Sequence, residues 1–199
     1  YYGINGIGVN SEFNSDKESM MRIQDFFRAC HQKGKELGWD FQVYWYDGTN
    51  DNGQITFDNG LGTHNQRMFG DSQNVTTDML FFNYNWDSQD LTNTEYKANQ
   101  MGRSSYDTYA GFDIQGRGLT TRGYTQSWEI LKNKKISVGF WGAHAQSLIH
   151  QSATDNGSSD IAIQNAYLQK QELIFSGGNR NPAARPSINN GCNLSNSSL

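Results

Sequence analysis

The chain is 199 residues long, 35% apolar and 13% aromatic, with 18% charged residues and a net charge of −4. That is about one domain's length, with enough chain to bury a core. The weakly acidic balance excludes a phosphate-backbone ligand, which needs a basic field, and no apolar run nears the ~20 residues of a membrane span. Neither nucleic acid nor membrane is an expected partner. Two cysteines, Cys30 and Cys192, make no disulfide framework and lack metal-ligand spacing, so no metal or cofactor is expected.

From Ile4 to Val9 a short β-branched run with glycines reads as a strand ending at Asn10-Ser11-Glu12. Ser15-Asp16-Lys17-Glu18 reads as a capping box with Ser15 as the cap. The helix it opens carries Met20, Ile23, Phe27, Cys30, Gly34 and Leu37 at spacings of three and four, one buried stripe. Cys30 on that stripe is expected as a buried free thiol, and Gly38 is placed to end the helix. Phe41 to Asp47 is an aromatic strand ending in an acid, with Trp45 expected to pack under the helices. Gln54 to Asn59 reads as a short extra strand or an ordered lid. Met79 to Trp86 is a buried strand that turns polar and aromatic at its C-terminal end, followed by a helix from Ser88 to Met101. Tyr106 to Asp113 is a strand, Thr125 to Leu131 a helix, Ile136 to Trp141 a strand, and Ser159 to Phe175 a helix capped by Ser158 or Ser159. Beyond Gly177 the composition falls to Gly, Asn, Pro and Ser, a loop or tail.

Strands alternating with helices imply parallel β/α units. Polar or aromatic residues stand at the strand C-termini: Asn10 and Glu12, Tyr46 and Asp47, Asn83 and Trp86, Asp113, Trp141. A (β/α)8 barrel builds its active site there along every strand, whereas a doubly wound sheet gathers function at one crevice. Gly116-Arg117-Gly118 lacks the spacing of a phosphate loop. The expected fold is α/β, a (β/α)8 TIM barrel, of which five strands alone do not close the circle.

In an extended strand Asn10 and Glu12 share a face, about 6.5 to 7 Å apart along the chain, with Ser11 turned away. A sugar over that face meets a proton donor and an amide together, the requirement for cleaving a 2-acetamido glycoside with its own acetamide as nucleophile. A general acid there needs burial or aromatic neighbours to hold its proton near neutral pH. The plainer reading is a turn-closing Asn10 and a solvated Glu12. Asp47 or Asp113 could be the second carboxylate of an ordinary glycosidase, and Asp113 could equally pair with Arg117. Tyr46, Phe57, Tyr84 and Trp86 read as walls of a sugar subsite or as core. A non-catalytic sugar-binding module would keep such walls without turnover. The abundant amides and hydroxyls match sugar hydroxyls, as aromatic faces match sugar C–H faces. His31, His64, His144 and His150 show no ligand spacing, though His144 follows a strand end.

Taken in order, Gly8-Val9-Asn10-Ser11-Glu12, Tyr44-Trp45-Tyr46-Asp47, Ile55-Thr56-Phe57-Asp58-Asn59, Leu80 to Trp86 and Tyr109 to Gly118 resemble the endo-β-N-acetylglucosaminidases of glycoside hydrolase family 85. Ser137-Val138-Gly139-Phe140-Trp141 is similar to that family's last barrel strand, and the likeness covers about residues 1 to 150. It implies hydrolysis of the β-1,4 bond of the N-glycan chitobiose core, with Glu12 as acid and then base and Asn10 orienting the acetamide toward an oxazoline-type intermediate. Tyr46 is implied to help hold the acetamide, and Phe57, Asn83, Tyr84, Trp86, Asp113 and Trp141 to contact substrate. Phe57 departs from the family's usual Trp, and Gly48 from a frequent Ser. In this alignment the chain begins at the fourth strand, so residues 1–176 are expected to be a partial catalytic domain whose partners are an N-glycan or glycoprotein and the rest of its own barrel. Polar composition and few cysteines suit a secreted or wall-attached bacterial enzyme; the family's eukaryotic members imply a cytoplasmic alternative.

Overall fold

Alternating burial along the strands sorts the two faces of a parallel sheet. The computed structural model describes residues 3–113, 130–142 and 159–165. Its strands β1 (Gly6–Asn10), β2 (Gln42–Tyr46), β3 (Met79–Phe82), β4 (Thr108–Asp113) and β5 (Ser137–Trp141) form one sheet in sequential order. The first three pairings are parallel, with Asn10 opposite Tyr46, Tyr46 opposite Phe81 and Phe81 opposite Tyr109. The expected α/β class with parallel strands is therefore observed. By contact the chain divides into two compact units, Tyr1–Gly111 and Phe112–Leu199.

In the first unit Val43, Trp45, Leu80 and Phe82 point to one face and are fully or almost fully buried. Val43, Trp45 and Leu80 join Met20 and Phe27 of α1 (Lys17–Leu37) in a core with Met68 and Phe69 of α2 (Gln66–Phe69) and Ala98 of α3 (Ser88–Gln100). Trp45 lies edge-on to Phe27 and Phe13, at ring centroid distances of 6.0 and 6.3 Å. Each such large side chain taken from water contributes about 1.5–3 kcal/mol. The opposite face carries Gly8, Asn10, Tyr44 and Tyr46, which the helices leave exposed or half-buried. Alternation thus turns Asn10 away from the core that Val9 packs against.

Several expectations are corrected. The cap of α1 is Asp16: its carboxylate accepts from Ser19 N at 2.7 Å, which holds Asp16 below the usual carboxylate range, while Ser15 N is tied to Gly53 O at 2.7 Å. Gln24 replaces Ile23 among the buried residues of the stripe, Cys30 is half-buried, and Leu37 is exposed. Gly38 does end the helix, in the left-handed conformation at φ 70°. Residues 54–59 form no strand: Ile55 makes one antiparallel bridge to Thr49, and Phe57 sits at φ 48°. β4 starts at Thr108 because Ser105–Asp107 is a 3-10 turn capped by the Ser104 side chain. α3 opens on a capping box between Asp87 and Asp90.

Arg103 was invisible as a structural residue in the sequence. Nearly buried, it donates to Phe69 O at 2.9 Å and Thr77 O at 3.1 Å, pairs with Asp107 at 3.1 Å and lies 4.1 Å over the Phe69 ring. In the second unit Phe112 and Phe140 pack at 5.6 Å, Leu131, Ile136 and Val138 are buried, and Ser159 accepts from Ala162 N at 3.4 Å where helical residues 160–165 begin. Expectations for Arg117, the helix from Thr125, His144, His150, Cys192, the rest of the helix to Phe175 and the tail 177–199 fall outside the described residues.

Candidate active site

The link between Asn10 and Glu12 is fixed from below by Ser11. Its hydroxyl, fully buried, donates to Tyr46 O and accepts from Gly48 N and Thr49 N, both at 3.1 Å. The single proton of the Thr49 hydroxyl is in turn shared between Ser11 O and, at 2.7 Å, Phe13 O. The end of β1 is thereby locked to the turn after β2. With Ser11 facing inward, Asn10 and Glu12 both stand exposed on the other side. Gly48 makes this approach possible: a Cβ there would lie 2.6 Å from Ser11 O and 3.4 Å from Glu12 Cγ. The position leaves no room for the serine frequent in the family without moving the strand that carries Glu12.

Tyr46 is the register neighbour of Asn10, placed on the same face about 4.8 Å away across the ladder. Its ring stacks on Tyr84 at 6.1 Å and meets Phe81 edge-on at 5.9 Å, and its hydroxyl lies 3.4 Å from Asn83 Oδ1. Asn83 is buried and serves the loop above: its side chain donates to Phe57 O at 3.2 Å and its backbone N to Asp58 O at 2.9 Å. Phe57 itself is 38% exposed, held by its N–H to Gly48 O at 3.2 Å. Asn10, Glu12, Tyr46, Tyr84 and Phe57 therefore hang on one connected framework at the strand C-termini.

Trp86 is placed differently from the expected subsite wall. It is 4% exposed and its Nε1–H donates to Gly111 O at 2.8 Å, so it braces β4 from inside. Asp47 is also sealed in. Burial, reinforced by the charges of Asp58 and Asp51, pushes its carboxyl well above the usual carboxylate range, against the opposing hydrogen bond from Asn65. Asn65 Nδ2 donates to Asp47 Oδ2 at 2.5 Å and to Gly60 O at 2.9 Å, while Asp47 Oδ1 is buried without a partner. A fully buried Asp47 meets no sugar, which removes it as the exposed second carboxylate of an ordinary glycosidase. Asp51 is a cap, accepting from Arg67 N at 2.8 Å and Met68 N at 2.9 Å at the start of α2. In the second unit Asp113 is half-buried and Trp141 is 49% exposed. Among the described residues no group of three His, Cys, Asp or Glu is arranged to hold a metal ion, and no helix is long and apolar enough to cross a membrane.

The domain is α/β, and an exposed amide, an exposed carboxylate and a stacked tyrosine pair stand at the C-terminal ends of its strands. The chain belongs to glycosyl hydrolase family 85, whose model matches residues 1–197. It is similar to the cytosolic endo-beta-N-acetylglucosaminidase of Danio rerio, 26% identical over 161 residues that make up 79% of this chain and 22% of the relative. The protein of the same name from Homo sapiens is 33% identical over 102 residues, 50% of this chain and 13% of that protein. The glycoside hydrolase domain of Endo-D from Streptococcus pneumoniae R6 shares the fold with a TM-score of 0.72 and 23% identity, covering 89% of this chain and 27% of that one. The chain thus spans about a fifth of the length of its Danio rerio relative.

Proposed function

We propose that residues 1–176 are the part of a (β/α)8 barrel running from its fourth strand to its eighth, with 177–199 a polar tail, and that the completed barrel is an endo-β-N-acetylglucosaminidase. Its substrate is the β-1,4 bond of the chitobiose core of an N-glycan, free or on a glycoprotein. The observation that carries this reading is the exposure of Asn10 and Glu12 on one side of Ser11, beside Tyr46. Glu12 protonates the glycosidic oxygen while the acetamide oxygen of the sugar attacks the anomeric carbon from the opposite face, forming an oxazoline-type ring. Glu12 then takes a proton from water, which opens that ring at the same carbon and leaves the configuration retained. Asn10 and Tyr46 hold the acetamide in line for the attack, an advantage of orientation. Phe57 and Tyr84 flank the sugar; Asn83 and Trp86 support these walls from below. The remaining strands of the barrel are the chain's structural partner. They close the pocket over Glu12 and cover an edge of β1 that would otherwise be open to pairing. The two endo-beta-N-acetylglucosaminidase relatives are named as cytosolic, which supports a cytoplasmic setting over a secreted or wall-attached one.

The test is a pair of substitutions in the completed domain. Glu12→Gln is expected to lower kcat on an N-glycopeptide by about 10²- to 10⁴-fold. Asn10→Ala is expected to lose glycopeptide hydrolysis yet turn over a preformed sugar oxazoline, because the step that needs the amide has already happened. An Asn10→Ala variant equally poor with both substrates overturns the acetamide mechanism.

A further inference from the structure

At the opposite end of the sheet, where β2 and β3 begin, a second cleft of about 390 Å³ lies between the last turns of α1 and the segment entering β3. That volume is in the range of small-ligand sites. Trp39 stands in its wall with 58% of its surface exposed, its backbone pinned by Trp39 N to Gly34 O at 2.8 Å. An exposed indole on an anchored backbone offers a large apolar face for stacking. The amides of Gln32, Gln73 and Asn74 line the same cleft from exposed positions.

The charges decide against an anion. Arg28 and Lys35 line the cleft together with Asp40 and Asp78, two cations and two carboxylates. Arg28 is already engaged by Asp25 at 3.2 Å and Thr76 at 2.9 Å, and His31 by Asp78 at 2.9 Å. Both side chains are thus taken up within the protein, and the exposed amides supply the cleft's hydrogen-bonding capacity. An exposed aromatic platform, three exposed amides and balanced charge fit a neutral polyol with one C–H face.

We propose that this cleft is an accessory saccharide site, binding neutral hexose units on Trp39 at a distance from the bond that Glu12 cleaves. It does not depend on Glu12 or Asn10, which lie at the other end of the strands. The test is titration of residues 1–199 with mannotriose, followed by NMR or calorimetry, with inorganic phosphate as the anionic control. Saturable mannotriose binding is expected, weakened at least tenfold by Trp39→Ala and unchanged by Glu12→Gln; circular dichroism on the surface variant reports that it remains folded. Absence of saturable binding, phosphate binding in its place, unaltered affinity in Trp39→Ala, or loss in Glu12→Gln would each overturn the proposal.

Discussion

Ser11→Ala removes one oxygen and no more, and the surrounding hydrogen bonds fix what that deletion costs. The hydroxyl's own bond to Tyr46 O is lost, about 1 kcal/mol net. Gly48 N keeps a partner, because it also donates to Tyr46 O at 2.9 Å. Thr49 N does not, since Thr49 is fully buried and Ser11 Oγ is its hydrogen-bond acceptor. An orphaned buried N–H costs about 1–3 kcal/mol, so the total is about 3 kcal/mol. For a chain of this size that lowers the thermal midpoint by about 6–12 °C. Differential scanning calorimetry of wild-type and variant chains in the same buffer measures it directly. A midpoint within 2 °C of wild type would refute the idea that Ser11 is the clamp holding β1 to the turn after β2.

Four further outcomes are expected. Asp47 has its proton affinity raised by burial, so the folded chain holds a proton that the unfolded chain releases; stability therefore falls as pH rises from about 4 toward neutrality. Asp47→Asn keeps an acceptor for Asn65 and places an amide where Oδ1 had no partner, so its melting midpoint should exceed wild type at pH 7 and match it near pH 3.5. Gly48→Ser should displace Ser11 and Glu12, seen as at least a tenfold fall in kcat on an N-glycopeptide with a smaller change in KM, because the new Cβ meets backbone only 2.6 Å away. Arg103→Met should destabilise the chain by about 3 kcal/mol in urea denaturation, since it removes the donors to Phe69 O and Thr77 O and leaves half-buried Asp107 without its cation. Asp16→Ala should cost about 1 kcal/mol in the same assay through loss of the α1 cap.

The strand ends were legible because a parallel strand buried by helices announces itself as an apolar run, and its first polar residues mark where it leaves the core. Met79-Leu80-Phe81-Phe82 followed by Asn83 is such a case, and so is Val9 followed by Asn10. What these residues then do depends on contacts far apart in the chain. Ser11 bonds to residues 35 to 38 positions away, which no local pattern encodes. Trp86 has the composition of a sugar wall and the position of a brace, because the indole N–H finds Gly111 O inside the protein. Asp47, at a strand end, was readable as a second carboxylate or as a structural residue, and the loop folding back through Asn65 shows that it is sealed. The choice between Ser15 and Asp16 as helix cap turned on one residue, decided when Ser15 spent its backbone N–H on Gly53. Phe57 could be placed on a wall from its type, but its left-handed backbone could not be read from its neighbours.

The central claim is that Glu12 and Asn10 cleave between the two N-acetylglucosamines of an N-glycan core. Mass analysis of an asparagine-linked glycopeptide, incubated with residues 1–199 joined to the strands that complete the barrel, tests it most directly. The account predicts a peptide that retains one N-acetylglucosamine, and its loss as a product when Glu12 is replaced by Gln. A peptide stripped of all sugar, one trimmed only at its outer residues, or the same product from the Glu12→Gln variant would contradict it.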